Sequence, residues 1–418
     1  MASSDVKLRA YSLVTGAYWG FTLTDGALRM LVLLHFATLG YSPVQLAFLF
    51  LFYEFFGIVT NLVGGWVGSR LGLRVTLLGG LALQVAALGL LAQLNPSWPR
   101  EWSVTYVMLM QSLSGIAKDL TKMSSKSAIK ALVPEGGNGA LFKWVAILTG
   151  SKNALKGAGF FLGGFLLHAA GYAGALRWMA GALFVVWAGS WFALPPDLGQ
   201  TKEKIGFRQI FSKTRAINLL SAARFFLFGA RDIWFVVGVP VFLEGTLQWS
   251  FSQVGAFMAL WVIGYGLVQS LAPAFWRGRA PAGPAAAGTA FILAAVAAAI
   301  PLSLAAGVPA QAAIIGGLGL FGFVFALNSA VHSYLILDYT DGDKVALNVG
   351  FYYMANAGGR LVGCLLSGLL FEWAGLGGCL WSTLVFALIA ALIALALPRE
   401  VLHPALLASA PAKAGEGD

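Results

Sequence analysis

Four lysines, Lys118, Lys122, Lys126 and Lys130, recur at four-residue intervals in the segment GIAKDLTKMSSKSAIK. Four residues is close to one α-helical turn, so a helix there carries them as one slowly turning cationic stripe. The preceding run SVTYVMLMQSLSG, beginning after Trp102, is apolar enough to enter a membrane. A rise of ~1.5 Å per residue then puts Lys118 near or just past the midplane, with the others stepping toward one surface. An ammonium group in hydrocarbon costs ~2.5–3.5 kcal/mol on the mildest scale. The ladder therefore predicts a binding site or pathway for an anion.

Further charges share faces in the same way. Lys152 and Lys156 lie four apart in GSKNALKGAGF, as do Asn356 and Arg360 in NAGGRLVG, and Asp25 and Arg29 in TLTDGALRM. Arg224 and Arg231 in SAARFFLFGARDIWF are seven apart, about 20° from one face and ~10 Å along the axis. Expected substrate contacts are Arg29, Lys118, Lys122, Lys152, Lys156, Arg224, Arg231 and Arg360, with Tyr352 and Asn356 lining the same cavity. Arginine offers a planar fork and lysine a movable point charge, a mixture that suits a tetrahedral oxyanion ester better than a single carboxylate. The intramembrane acids Asp25, Glu54, Asp119 and Asp232 are fewer than the bases, so the interior keeps a positive excess. Asp25, Glu54, Asp119 and His332 are candidate proton carriers. The simplest expectation for Asp25 is an intrahelical ion pair with Arg29. Lys126 and Lys130, nearer the surface, are expected to snorkel.

Positioning these groups requires long apolar helices, and the composition supplies them. Hydrophobic residues make up 59% of the 418 and charged ones only 11%, against about 25% charged in soluble proteins. The chain reads as an all-α integral membrane protein with spans near 10–38, 45–67, 74–94, 103–128, 141–168, 174–195, 216–242, 251–275, 285–306, 311–337, 346–371 and 379–397. Outside the spans, every Lys and Arg except Arg100 and Arg177 falls on the side of the N-terminus. By the positive-inside rule both termini are expected in the cytoplasm, with the chain in the plasma (inner) membrane. The formal net charge of +10 is thus explained by topology rather than by nucleic-acid binding. The N-terminal segment reads as a retained first span, since its apolar stretch exceeds a signal peptide's and no small-residue cleavage site follows.

No catalytic, metal or cofactor site is expected. Cys364 and Cys379 fall on different spans without a CxxC, which supports neither a disulfide scaffold nor a thiolate metal site. His35, His168, His332 and His403 are scattered, which argues against a polytopic membrane enzyme. No GxxxxGK[ST] phosphate loop is found.

The long polar connection from Pro195 to Ala216 divides the chain into an N-terminal six-helix bundle (1–195), a cytoplasmic linker (196–215), a C-terminal six-helix bundle (216–400) and a cytoplasmic tail (401–418). That layout is similar to the major facilitator superfamily, whose two bundles rock about a central site. Between spans two and three, GWVGSRLGLR (Gly65–Arg74) resembles that superfamily's loop motif, with Ser69 at the usual Asp position and Leu73 at the first basic one. More specifically, FTLTDGALRM, GIAKDLTKMSSKSAIK, KWVAILTGSKNALKG, SAARFFLFGARDIWF and GFYYMANAGGRLVG resemble the organoarsenical efflux permeases of the ArsJ family, from Tyr11 to about Pro398. The resemblance implies export of 1-arseno-3-phosphoglycerate, an ester made by a glyceraldehyde-3-phosphate dehydrogenase that uses arsenate in place of phosphate, and hence arsenate resistance. It implies a monomer with a small anionic substrate in the lipid bilayer and no nucleic-acid partner. Exchange of phosphorylated metabolites, or of inorganic phosphate and arsenate, is the alternative that the same cations serve.

Overall fold

A computed structural model of the chain describes residues 2–41, 49–132, 138–196, 214–249, 251–277, 279–340 and 344–399. Among them every regular element is a helix: α1 (Ala2–Thr38), α2 (Leu51–Leu71), α3 (Leu73–Leu91), α4 (Arg100–Leu132), α5 (Asn138–Ala193), α6 (Arg215–Phe235), α7 (Gly238–Gly245), α8 (Phe251–Phe275), α9 (Gly283–Ala305), α10 (Ala310–Asp338) and α11 (Val345–Ala394). Eight helical stretches among the described residues are long and apolar enough to cross a membrane. The long helices outside that group, α1 and α4, carry Asp25, Arg29 and the lysine ladder, whose charges lower their hydropathy.

Two pairs of predicted spans run together. The spans expected at 141–168 and 174–195 form the single element α5, broken at Gly171 (φ 68°). Those expected at 346–371 and 379–397 form α11, broken at Ala374 and Gly375 (φ 60°). A positive φ suits glycine because no Cβ opposes it. The chain therefore reverses inside a helical run without the polar loop that would mark a boundary in sequence. Counting each broken run as two, and α6 with the short α7 as one stretch, both halves of the chain supply helices in the same order, with the glycine break between the fifth and sixth of each.

In contrast, the span expected at 216–242 is interrupted between α6 and α7. Pro240 lacks an N–H and crowds the carbonyl of Val236, so the helix cannot run through. Ser367 Oγ accepts from the freed N–H groups of Val237 and Gly238, each at 3.2 Å. The second predicted span begins outside the described residues, as do most of the linker (196–215) and the tail (401–418, with His403).

The halves meet along α5 with α8 and α2 with α11. At the first seam the backbones nearly touch: a Cβ added to Gly150 would lie 2.5 Å from the Gly266 carbonyl, and the converse holds. Small residues of this kind let helices pack closely in lipid.

The buried apolar residues divide unevenly. One cluster comes from the first half, apart from Ala346, and another wholly from the second half. A third cluster joins both halves, with Tyr11, Ile129, Phe142 and Val145 against Ile217, Tyr334, Val349 and Leu397. It lies at the end of the bundle where both described chain ends sit. Leu347 also packs on Leu62 and Trp66 there. The two halves thus share a core on the termini side in addition to the cluster each has of its own.

Candidate functional site

Between the halves lies a network of buried charge. Its centre is Glu54 on α2, which holds Arg29 of α1 (3.4 Å), Lys118 of α4 (3.6 Å) and Arg360 of α11 (2.6 Å). Arg360 also donates through Nε to Asp232 of α6 at 3.1 Å, and Asp232 pairs with its neighbour Arg231. Glu54 and Arg360 thereby link the first half to the second. Asp119 pairs with Lys122 one turn on and with Lys118 at 3.6 Å. Charges taken out of water persist only where paired or hydrogen-bonded, and these acids satisfy that requirement for most of the interior cations.

Asp25 breaks the expected pattern. Its Oδ2 lies 3.5 Å from Lys156 of α5, and its Oδ1 accepts the Tyr53 hydroxyl at 2.6 Å. Arg29 turns instead to Glu54 and to the rings of Phe50 and Tyr53. The intrahelical Asp25–Arg29 pair is replaced by two bonds between helices. The local pair would have left Lys156 without an acid in a low-dielectric interior.

Three cations stand outside this network. No ion pair among the described residues reaches Lys126, Lys152 or Arg224. Lys126 does not snorkel. Its side chain is among the largest that are fully buried, at 2% exposure, and its Nζ donates to the Tyr353 hydroxyl at 3.3 Å. The reason lies in α4, which runs to Leu132, so that Lys126 is still within the packed helix and faces α11. The Lys130 side chain lies outside the described residues. Arg224 is equally buried and donates to Asn356 Oδ1 (2.9 Å) and Ser329 Oγ (3.0 Å), with its guanidinium 3.8 Å from the centre of the Phe228 ring. The charged groups that bear most strongly on Lys152 are cations: Lys156, Lys122, Arg360 and Arg231.

Other expected residues fall around these. Lys122 lies over the Tyr353 ring at 4.1 Å, and Tyr352 sits between Lys126 and Arg224, whose charged ends are 5.8 and 5.2 Å from its ring centre. Arg231 is ringed by Phe228, Phe235 and Phe325. His332 is buried on α10, with Nδ1 unpartnered. Sequence reading missed the neutral partners Tyr53, Ser329, Gln269 and Asn153. Asn153 donates to Gln269 Oε1 across the halves at 2.6 Å, and Gln269 and Tyr265 both donate to Ser329 Oγ. Their signal was a polar residue in an apolar run, which charge counting passes over.

The loop motif forms the turn from α2 to α3 at Gly72 (φ 86°). Arg70 lies over Trp66 there, and Arg74 donates to the Trp191 carbonyl at 2.6 Å. Cys364 and the buried Cys379 are both free thiols. Among the described residues no group of three or more His, Cys, Asp or Glu is placed to hold a metal ion.

No family model matches the chain, and no curated protein matches it. Solved structures do match over nearly the full length. The proton:xylose symporter XylE of the major facilitator superfamily, bound to 6-bromo-6-deoxy-D-glucose, is 14% identical with a TM-score of 0.74, over 94% of this chain and 95% of its own. A bacterial homologue of the iron transporter ferroportin, in an outward-facing state, is 13% identical with a TM-score of 0.74, over 92% and 98%. The human organic anion transporter MFSD10 is 16% identical with a TM-score of 0.68, over 93% and 99%. The chain has the major facilitator fold, and its long apolar helices make it a multi-pass membrane protein.

Proposed function

We propose that this chain is a secondary transporter that exports a small, multiply charged organoarsenical anion, 1-arseno-3-phosphoglycerate, by alternating access. The observation that carries the reading is the set Lys126, Lys152 and Arg224, three interior cations that no described carboxylate neutralises. Each uncompensated charge costs several kcal/mol in an apolar interior, on the order of 2.5–3.5 on the mildest scale, and is retained where it serves function. A cargo that brings negative charge offsets that cost.

Three further points support the reading. The fold is shared with proteins described as a sugar symporter and an organic anion transporter. The charge-bearing strings resemble organoarsenical permeases. The two cysteines do not form the convergent thiolate set that trivalent arsenic prefers, so a hard pentavalent oxyanion fits better. On this proposal the chain acts as a monomer in the plasma membrane, is not an enzyme, and depends on a dehydrogenase to make its cargo. Its 1–195 and 216–400 bundles rock about the charged seam. Placing the termini in the cytoplasm makes the shared core a cytoplasmic seal, and the conformation outward-facing. Asp25, Glu54 and Asp119 are the proposed proton carriers, because protonating any of them would release a bound base.

The test is uptake into everted membrane vesicles supplied with the dehydrogenase, glyceraldehyde 3-phosphate, NAD and arsenate. Arsenic accumulation that requires the dehydrogenase and its substrate is the expected result. Equal uptake of free arsenate or of 3-phosphoglycerate alone would make this a general oxyanion or phosphoester carrier.

A further inference from the structure

We infer that Lys126, Arg224 and His332 form a single pocket for one tetrahedral oxyanion, phosphate or arsenate, on the termini side of the charged network. The inference deepens the export reading and rests on it for the direction of transport only.

The separation of roles follows from the pairing. Arg29, Lys118, Arg360 and Arg231 each already have Glu54 or Asp232 as a partner, although the cations outnumber these acids. Lys126 and Arg224, by contrast, hydrogen-bond to neutral groups, and both flank Tyr352. Lys126 uses one of its three N–H donors on Tyr353. Arg224 uses Nε on Asn356 and one terminal nitrogen on Ser329, which leaves the other terminal nitrogen. Ser329 lies one turn before His332 on α10, so the serine that orients Arg224 and the histidine share a face.

A second observation points to a ligand independently of charge. His332 is only 1% exposed, yet its Nδ1 has no hydrogen-bond partner, and the charged groups bearing on it are Arg224 and Lys126. Ser221, one turn before Arg224 on α6, is 2% exposed with Oγ likewise unpartnered. Buried polar atoms are nearly always satisfied, so two unpartnered ones beside two cations leave room for a shared partner, an ion or ordered water. Two cations with spare donors beside unpaired neutral groups suit several oxygens on one centre, as in a tetrahedral oxyanion. A carboxylate presents only two oxygens in one plane.

The experiment is calorimetric titration of the purified full-length protein in phosphatidylcholine nanodiscs with inorganic phosphate, arsenate and acetate. Phosphate and arsenate are expected to bind at least tenfold more tightly than acetate. Lys126→Met and Arg224→Lys are each expected to weaken phosphate at least tenfold, whereas Lys143→Gln, an exposed lysine outside the seam, leaves it unchanged. Lys126→Met removes a buried charge without stranding an acid, so it decides the matter if the Arg224 variant does not fold. Acetate binding as tight as phosphate, or phosphate binding indifferent to Lys126→Met, would overturn the pocket. Ester transport in vesicles separates the two readings. Transport that survives Lys126→Met sinks the pocket alone. Lys126-dependent phosphate binding without ester transport sinks the export reading alone.

Discussion

Glu54 Oε1 accepts a hydrogen bond from Arg360 at 2.6 Å, joining residues 306 positions apart and tying the first half of the chain to the second. The same carboxylate holds Arg29 and Lys118, so one acid serves three cations, of which Lys118 also reaches Asp119 and Arg360 also reaches Asp232. Removing one partner of a buried pair leaves the other charged and unsolvated, at about 3–5 kcal/mol. Glu54→Gln is therefore expected to lower the melting temperature in detergent sharply. The double variant Glu54→Gln with Arg360→Gln should recover part of the loss, because it strands one cation fewer. A double variant no more stable than the single one would show that Arg360 gains nothing from Glu54.

Tyr53 supports the network in two ways, donating to Asp25 and offering its ring to Lys118 at 3.9 Å. Tyr53→Phe keeps the ring and removes the hydroxyl. The expected cost is about 1–3 kcal/mol, the penalty for a buried acceptor that loses its donor. Tyr53→Leu should cost more, since it removes the cation–π contact too. Chemical denaturation of the two variants, compared side by side, reads the difference.

The all-helical, membrane-spanning character was legible because apolar runs of about twenty residues depend on composition alone. The continuity of α5 and α11 was not, since a reversal through Gly171 or Gly375 needs no polar loop. At the site, spacing within a helix identified the cations but could not pair them. Asp25 and Arg29 share a face, yet each finds its partner on another helix, because packing brings Lys156 and Glu54 closer than the local pair. Lys126 was misplaced for a related reason. Distance from a helix end predicts snorkelling only where lipid flanks the helix, and here α11 does.

Lys152 and Lys156, four residues apart on α5, should respond oppositely to removal. Lys156 neutralises Asp25, so Lys156→Met strands a buried carboxylate and is expected to lower the melting temperature. The charged groups that bear most strongly on Lys152 are cations, so Lys152→Met relieves repulsion and should leave the melting temperature unchanged or raise it. Transport of the ester is expected to fall in both. A destabilised Lys152→Met would mean that an acid outside the described residues serves this lysine.

Transport also requires the shared core on the termini side to open. Leu347 packs there on Leu62 and Trp66, across the two halves, and these side chains must part if the halves rock. In a background with Cys364 and Cys379 replaced by serine and alanine, Leu62→Cys with Leu347→Cys allows a short bifunctional maleimide to tie the halves together. The cross-linked protein is expected to lose ester transport in vesicles, while either single cysteine treated identically retains it. A cleavable linker should restore transport on reduction, which separates a locked seal from damage caused by the substitutions. Full transport by the cross-linked form would mean that the cargo passes without the halves separating at this point, and that the fold does not work by alternating access along this seam.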